Sequence, residues 1–84
     1  MATHSLKTEP RYFDAVLRGD KTFELRKNDR RFAVGDLLVL EEYARGLYTG
    51  RTTTCLVTYV LHTVEQFGLT SGYAVLSIRL LENT

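Results

Sequence analysis

Eighty-four residues are enough for one small hydrophobic core and too few for two, so the chain reads as a single domain over 1–84. Hydrophobic residues at 44% and charged residues at 25% exclude a disordered chain, and the longest apolar runs, Leu37 to Leu40 and Ala74 to Leu76, fall far short of the roughly 20 residues of a membrane-spanning helix. The net charge of +1 conceals an asymmetry: residues 1–31 carry eight Lys or Arg against five acids, so one face suits an anionic ligand without demanding nucleic acid.

In chain order, "HSL" and its flanks read as a first strand. "TEPRYFDAVLRGD" has the marks of a short helix: Thr8 or Glu9 as cap, Pro10 in the first turn, Phe13, Val16 and Leu17 on one face, and Gly19 as the stop. "KTFELRKN" alternates, with Phe23 and Leu25 facing one way and Thr22, Glu24, Arg26 and Asn28 the other, which is the period of a half-buried strand. Phe32 and Val34 lead into a Gly35-Asp36 turn, and "LLVLEEY" is a third strand whose first part reads as buried on both faces. "ARGLYTGR" is expected as a loop, "TTTCLVTYVLHTV" as a long strand able to bend between two parts of a barrel, "EQFGLTSG" as a second loop and "YAVLSIRLL" as the closing strand. The expected fold is therefore α+β, mostly β: a small barrel of about five strands in the order β-α-β-β-β-β, with the helix plugging one end.

Familiar catalytic patterns are missing. The glycines form neither GxGxxG nor a P-loop, no GxSxG elbow occurs, and His4 and His62 are far apart beside a single cysteine, Cys55, so neither a metal nor a cofactor is expected. Cys55 reads as a small core residue and His4 as a packed one. "MATHSLKTEP" lacks the apolar segment of a signal peptide, and a cytoplasmic location with no membrane partner follows as the expectation.

The chemistry concentrates in "GDKTFELRKN", residues 19–28. Glu24 and Arg26 are two apart on a strand and leave the same face, and Lys21 follows the turn at Gly19, so one surface gathers an ammonium, a carboxylate and a guanidinium. On a solvent face these are surface ion pairs worth little; bordering a cleft, the carboxylate fixes two cations that meet phosphate or carbonyl oxygens. Tyr48, flanked by glycines in "GLYTGR" and followed by Arg51, is the exposed aromatic best suited to stack a base, whereas Tyr12, Tyr59 and Tyr73 read as core. Asn28 and Asp29 read as a turn.

"GDKTFELR" resembles the GxKxxExR signature of the ASCH domain (activating signal cointegrator homology) of the PUA-like superfamily. The similarity of "ELRKNDRRFAVGD" and "YTGR" extends it to a small bacterial and phage-associated group of stand-alone domains without an assigned function. The resemblance implies a PUA-like barrel with Gly19, Lys21, Glu24 and Arg26 lining a cleft between helix and barrel, and RNA or a nucleotide-like ligand as partner. Lys21, Glu24 and Arg26 would hold that ligand, with Tyr48 and Arg51 at the rim and Gly19 and Asn28 shaping the motif. Some compact ASCH-like proteins hydrolyse the acetyl group of N4-acetylcytidine, which implies an alternative activity using Lys21 and Glu24. This chain departs from those enzymes in having Glu24 where their threonine nucleophile falls, and in lacking the insertion that carries their catalytic glutamate. A protein-interaction module is the third reading.

Overall fold

Proline at the first helical position and a left-handed glycine after the last bracket the only long helix among the described residues. In the computed structural model, which describes residues 1–62 and 65–81, α1 runs Pro10–Arg18. Gly19 takes φ 81°, and the N–H groups of Gly19 and Asp20 donate to the carbonyls of Val16 and Ala15, closing the C-terminal end. Nine residues are too few to hold a helix alone, and burial of Phe13 and Val16 against the sheet supplies the stabilisation.

The strands are β1 (Thr3–Thr8), β2 (Phe23–Lys27), β3 (Leu37–Ala44), β4 (Leu47–Leu61) and β5 (Tyr73–Leu80), with a short 3-10 turn at Glu65–Phe67. With α1 after β1, the expected order holds. The strands form one sheet in the order β1-β3-β4-β5-β2, parallel between β1 and β3 and antiparallel elsewhere. β4 serves two partners, β3 along its first part and β5 along its second, with a register shift between Val57 and Tyr59. The sheet thus curls into a half-barrel around Leu38, Leu40, Val57, Ala74, Leu76 and Cys55, with Phe13 and Val16 of α1 in the same core. Burial pushes the Cys55 thiol up to about 11, with the Glu24 carboxylate adding to the shift and the Lys21 ammonium opposing it. The expectation that the strand beginning at Thr52 runs on through Thr63 and Val64 lies, for those two residues, outside the described residues.

Three local expectations are corrected. The segment read as the loop "ARGLYTGR" is a two-residue hairpin turn: Arg45 and Gly46 have φ 55° and 80°, Ala44 pairs with Leu47 and Tyr43 with Tyr48. Two positive φ values in a row define the turn type that matches strand twist, so β4 begins before "TTT". Arginine pays a steric cost in this conformation, and Arg45→Asn is expected to stabilise by about 0.5–1 kcal/mol, raising the melting temperature by a few degrees in a calorimetric scan. β3 alternates between buried and half-buried residues instead of being buried on both faces, because α1 covers only its concave side. Tyr12 and Tyr59 are exposed rather than core. The facing of β2, which the sequence leaves open, bears on the site and is described with it.

Ahead of β3, His4 and Asp36 are both buried, with His4 Nε2 2.9 Å from Asp36 Oδ2. The same carboxylate accepts the N–H groups of Ala2 and Ala33, both at 3.0 Å. These contacts, the Ala2 bond first and the His4 bond second, hold the Asp36 carboxyl down at about 2 against the opposing effect of burial. His4 also packs edge-on against Phe32, as expected for a packed residue.

Candidate functional site: a cleft at the open seam

No ladder joins β1 to β2 among the described residues, so the half-barrel has a seam between its two edge strands. On β2, the Thr22 carbonyl and the Asn28 N–H bond toward β5, which by alternation turns the backbone of Phe23, Leu25 and Lys27 toward the seam. On β1, Ala2 bonds β3 while the carbonyls of Ser5 and Lys7 face the seam. Arginines cross the gap where a ladder would: Arg26 Nη2 donates to the Lys7 carbonyl at 2.9 Å and Arg30 Nη1 to the Ser5 carbonyl at 2.7 Å.

β2 buries its acid rather than its apolar residues. Alternation leaves open which face of the strand turns inward; here Phe23 and Leu25 are about half exposed, at 50% and 46%, while Glu24 is buried at 3%. The reason is position: β2 is an edge strand at the mouth of the half-barrel, where its concave face meets the cleft beneath α1, and its apolar side chains line the rim of that cleft. Glu24 tolerates burial because both oxygens are engaged. Lys21 Nζ donates to Oε1 at 2.5 Å and to the Phe23 carbonyl at 2.7 Å, and Arg26 Nε donates to Oε2 at 2.9 Å. The two cations are fixed by one carboxylate and remain partly accessible, with side chains 14% and 26% exposed.

This group lines a cleft of about 560 Å³ together with the aromatic and apolar side chains of Tyr12, Phe23 and Leu25. Lys7, Thr8 and Glu9 complete it. The Lys21 ammonium stands 4.9 Å from the Phe23 ring centroid and 5.8 Å from that of Tyr12, so two aromatic faces flank a fixed cation. The volume is that of a small-molecule site, and apolar walls with few polar groups are its usual composition.

The structure brings Lys21, Glu24 and Arg26 together, and Gly19 forms the turn that carries Lys21 back toward β2. Asn28 caps the end of β2: its Oδ1 accepts the Phe32 N–H at 3.1 Å, and its side-chain amide lies 3.1 Å from His62 Nδ1. Tyr48 and Arg51 do not line the cleft. Tyr48 packs edge-on against Tyr43, with the Lys7 ammonium 4.5 Å from the Tyr43 centroid and 5.9 Å from its own. Arg51 pairs with Asp14 at 3.0 Å and with buried Glu42 at 3.5 Å, and its guanidinium lies 4.8 Å from the Phe13 ring, tying α1 to the β3–β4 hairpin. Tyr12 was missed as a lining residue. The signal lay in the helix itself, since a face defined by Phe13 and Val16 leaves Tyr12 turned aside.

Among the described residues no three His, Cys, Asp or Glu side chains are grouped to hold a metal ion, and no helix is long and apolar enough to cross a membrane.

Residues 3–78 match the family described as Domain of unknown function (DUF3850). An uncharacterized 12.9 kDa protein in the GpA 3′ region of Escherichia phage P2 is 44% identical over 57 residues. That similarity covers 68% of this chain and 52% of the relative, so the chain spans about half the length of the curated relative it matches. Among solved structures, the crystal structure of hypothetical protein PH0355 is similar with a TM-score of 0.66 at 14% identity, covering 96% of this chain and 100% of that one, a likeness of fold.

Proposed function

The chain belongs to the DUF3850 family, and we propose that it binds an unpaired RNA nucleotide in the seam cleft. The observation that carries this reading is the pairing of a carboxylate-fixed Lys21 and Arg26 with the partly exposed rings of Tyr12 and Phe23 around a nucleoside-sized volume. A flat base gains about 1–3 kcal/mol by stacking on such rings. Of the five guanidinium N–H groups of Arg26, the bonds to Glu24 and Lys7 occupy two, and the rest are available to phosphate or carbonyl oxygens. The resemblance of Gly19, Lys21, Glu24 and Arg26 to the ASCH signature supports the same ligand class. The close Lys21–Glu24 pair also favours a second reading, hydrolysis of a modified nucleoside such as N4-acetylcytidine, with Glu24 as general base and Lys21 as electrostatic stabiliser.

The test is an NMR titration of isotope-labelled protein at low salt with short single-stranded RNA, its DNA counterpart and N4-acetylcytidine. Saturable shifts are expected at Tyr12 and residues 19–28 with RNA, weakening as salt rises. Arg26→Ala is expected to reduce affinity by about ten- to a hundredfold, the loss of a charged contact worth roughly 1.5–3 kcal/mol. Conversion of N4-acetylcytidine, lost in Lys21→Ala with folding retained, would make the cleft an active site. If none of the three ligands shifts these amides, the RNA reading is wrong.

A further inference from the structure

The seam does not end at the cleft. A second depression of about 300 Å³ adjoins it, sharing Leu25 and Arg26 and adding Lys27, Asp29, Arg30 and Tyr73 among its lining. Three cations against one acid give it a positive balance, and it is too small for a whole nucleoside with its phosphate. Its basic groups are positioned by the backbone. The Asn28 N–H donates to the Gly72 carbonyl at 2.8 Å, the Asn28 side chain accepts the Phe32 N–H, and Arg31 takes a left-handed φ of 50° between them. A non-glycine residue in that region is uncommon and costs energy, and here it lets the chain turn sharply, with Arg30 bonded to the Ser5 carbonyl and Phe32 in the core. One bond to Ser5 engages one of five guanidinium N–H groups, so Arg30 retains donors toward the depression.

We infer that this second depression holds the phosphodiester and the start of the next nucleotide of a strand whose first base occupies the cleft. The ligand class is then a single-stranded oligonucleotide of at least two units, lying along the seam with Arg26 between the subsites. This rests on the cleft taking a nucleotide, as proposed above. The half-buried Tyr73 and the exposed face of Leu25 offer apolar surface to the second unit, while Lys27 and Arg30 meet the phosphate oxygens.

The experiment compares uridine with uridylyl-uridine, which adds one phosphodiester and one base, and with its deoxy counterpart. Each is titrated into labelled wild-type protein, Lys27→Gln and Arg30→Gln. In wild type, the dinucleotide is expected to bind about tenfold or more tightly than uridine, with its log affinity falling more steeply against log salt by about 0.7. Its additional amide shifts should fall at residues 29–32 and 72–73. The readout is the ratio of dinucleotide to nucleoside affinity, which should drop severalfold in both variants. Lys27 makes none of the hydrogen bonds or ion pairs described above, so Lys27→Gln keeps the test valid even if Arg30→Gln unfolds. Uridine bound at Tyr12 and residues 19–28 with no gain for the dinucleotide, or a gain unaltered in Lys27→Gln, would overturn the second subsite while leaving the cleft. Failure of all three probes would remove both. The deoxy probe separates an RNA ligand, bound more weakly without the 2′-hydroxyls, from single-stranded DNA, bound equally well.

Discussion

Replacing Glu24 with alanine is expected to destabilise the domain by about 3 kcal/mol and to lower its melting temperature by roughly 15 °C. The carboxylate is buried at 3% exposure and accepts from both Lys21 and Arg26. Its removal leaves two cations facing a hole, with only the Phe23 and Lys7 carbonyls as their remaining acceptors. Truncating one member of a buried charged group typically costs about 3–5 kcal/mol, and the partial exposure of Lys21 and Arg26 places this case at the lower end. Glu24→Gln, which keeps the shape and one acceptor, should lose about half as much. Chemical denaturation of the three proteins checks the order wild type, Gln, Ala; equal stability of the alanine variant would mean that Glu24 is solvated and its two bonds are dispensable. The consequence for function is direct, because loss of binding in Glu24→Ala reports on folding unless the melting curve is measured beside it.

The second large effect is at Asp36, and it depends on pH. With its folded carboxyl held at about 2 against an ordinary 3.8, the unfolded state takes up a proton first as the pH falls. The stability this group contributes is therefore complete above about pH 4 and is lost as the pH drops toward 2. A depression of this size corresponds to about 2 kcal/mol, a large share of the stability of a small domain. Asp36→Ala is expected to lose about that much or somewhat more at neutral pH, because the N–H groups of Ala2 and Ala33 lose their acceptor and His4 its partner. It should also flatten the fall in stability between pH 4 and 2. Urea denaturation of both proteins at pH 2.5, 4 and 7 measures this; an alanine variant whose acid sensitivity matches the wild type would place the titrating group elsewhere.

The charge cluster of the candidate site was legible before the fold. The spacing of Glu24 and Arg26 put them on one face, and Gly19 placed Lys21 just before that strand, so the three charges were expected together. Their setting was not legible. An alternating strand states only that its two faces differ, and here the partner sheet and the open seam reversed the usual assignment by turning Glu24 inward and Phe23 and Leu25 to the rim. The misplacement of Tyr48 and Arg51 had a different cause. Two glycines in "ARGLYTGR" suggested a long loop, but only Gly46 serves the turn, and the strand that follows carries Arg51 to Asp14 and Glu42 instead of to the cleft.

The sequence by itself determined what local forces settle. Pro10 and Gly19 bound the helix, a β-branched run makes β4 and alternating or apolar segments make the other strands, their order follows, and the charges of residues 21–26 are gathered by spacing alone. Only the tertiary structure decided that the sheet stays open between β1 and β2, that Arg26 and Arg30 cross that opening, and that a buried carboxylate lines the cleft there. Those outcomes depend on which strands become edges, and edge formation is a balance of long-range pairing and curl that no single segment encodes.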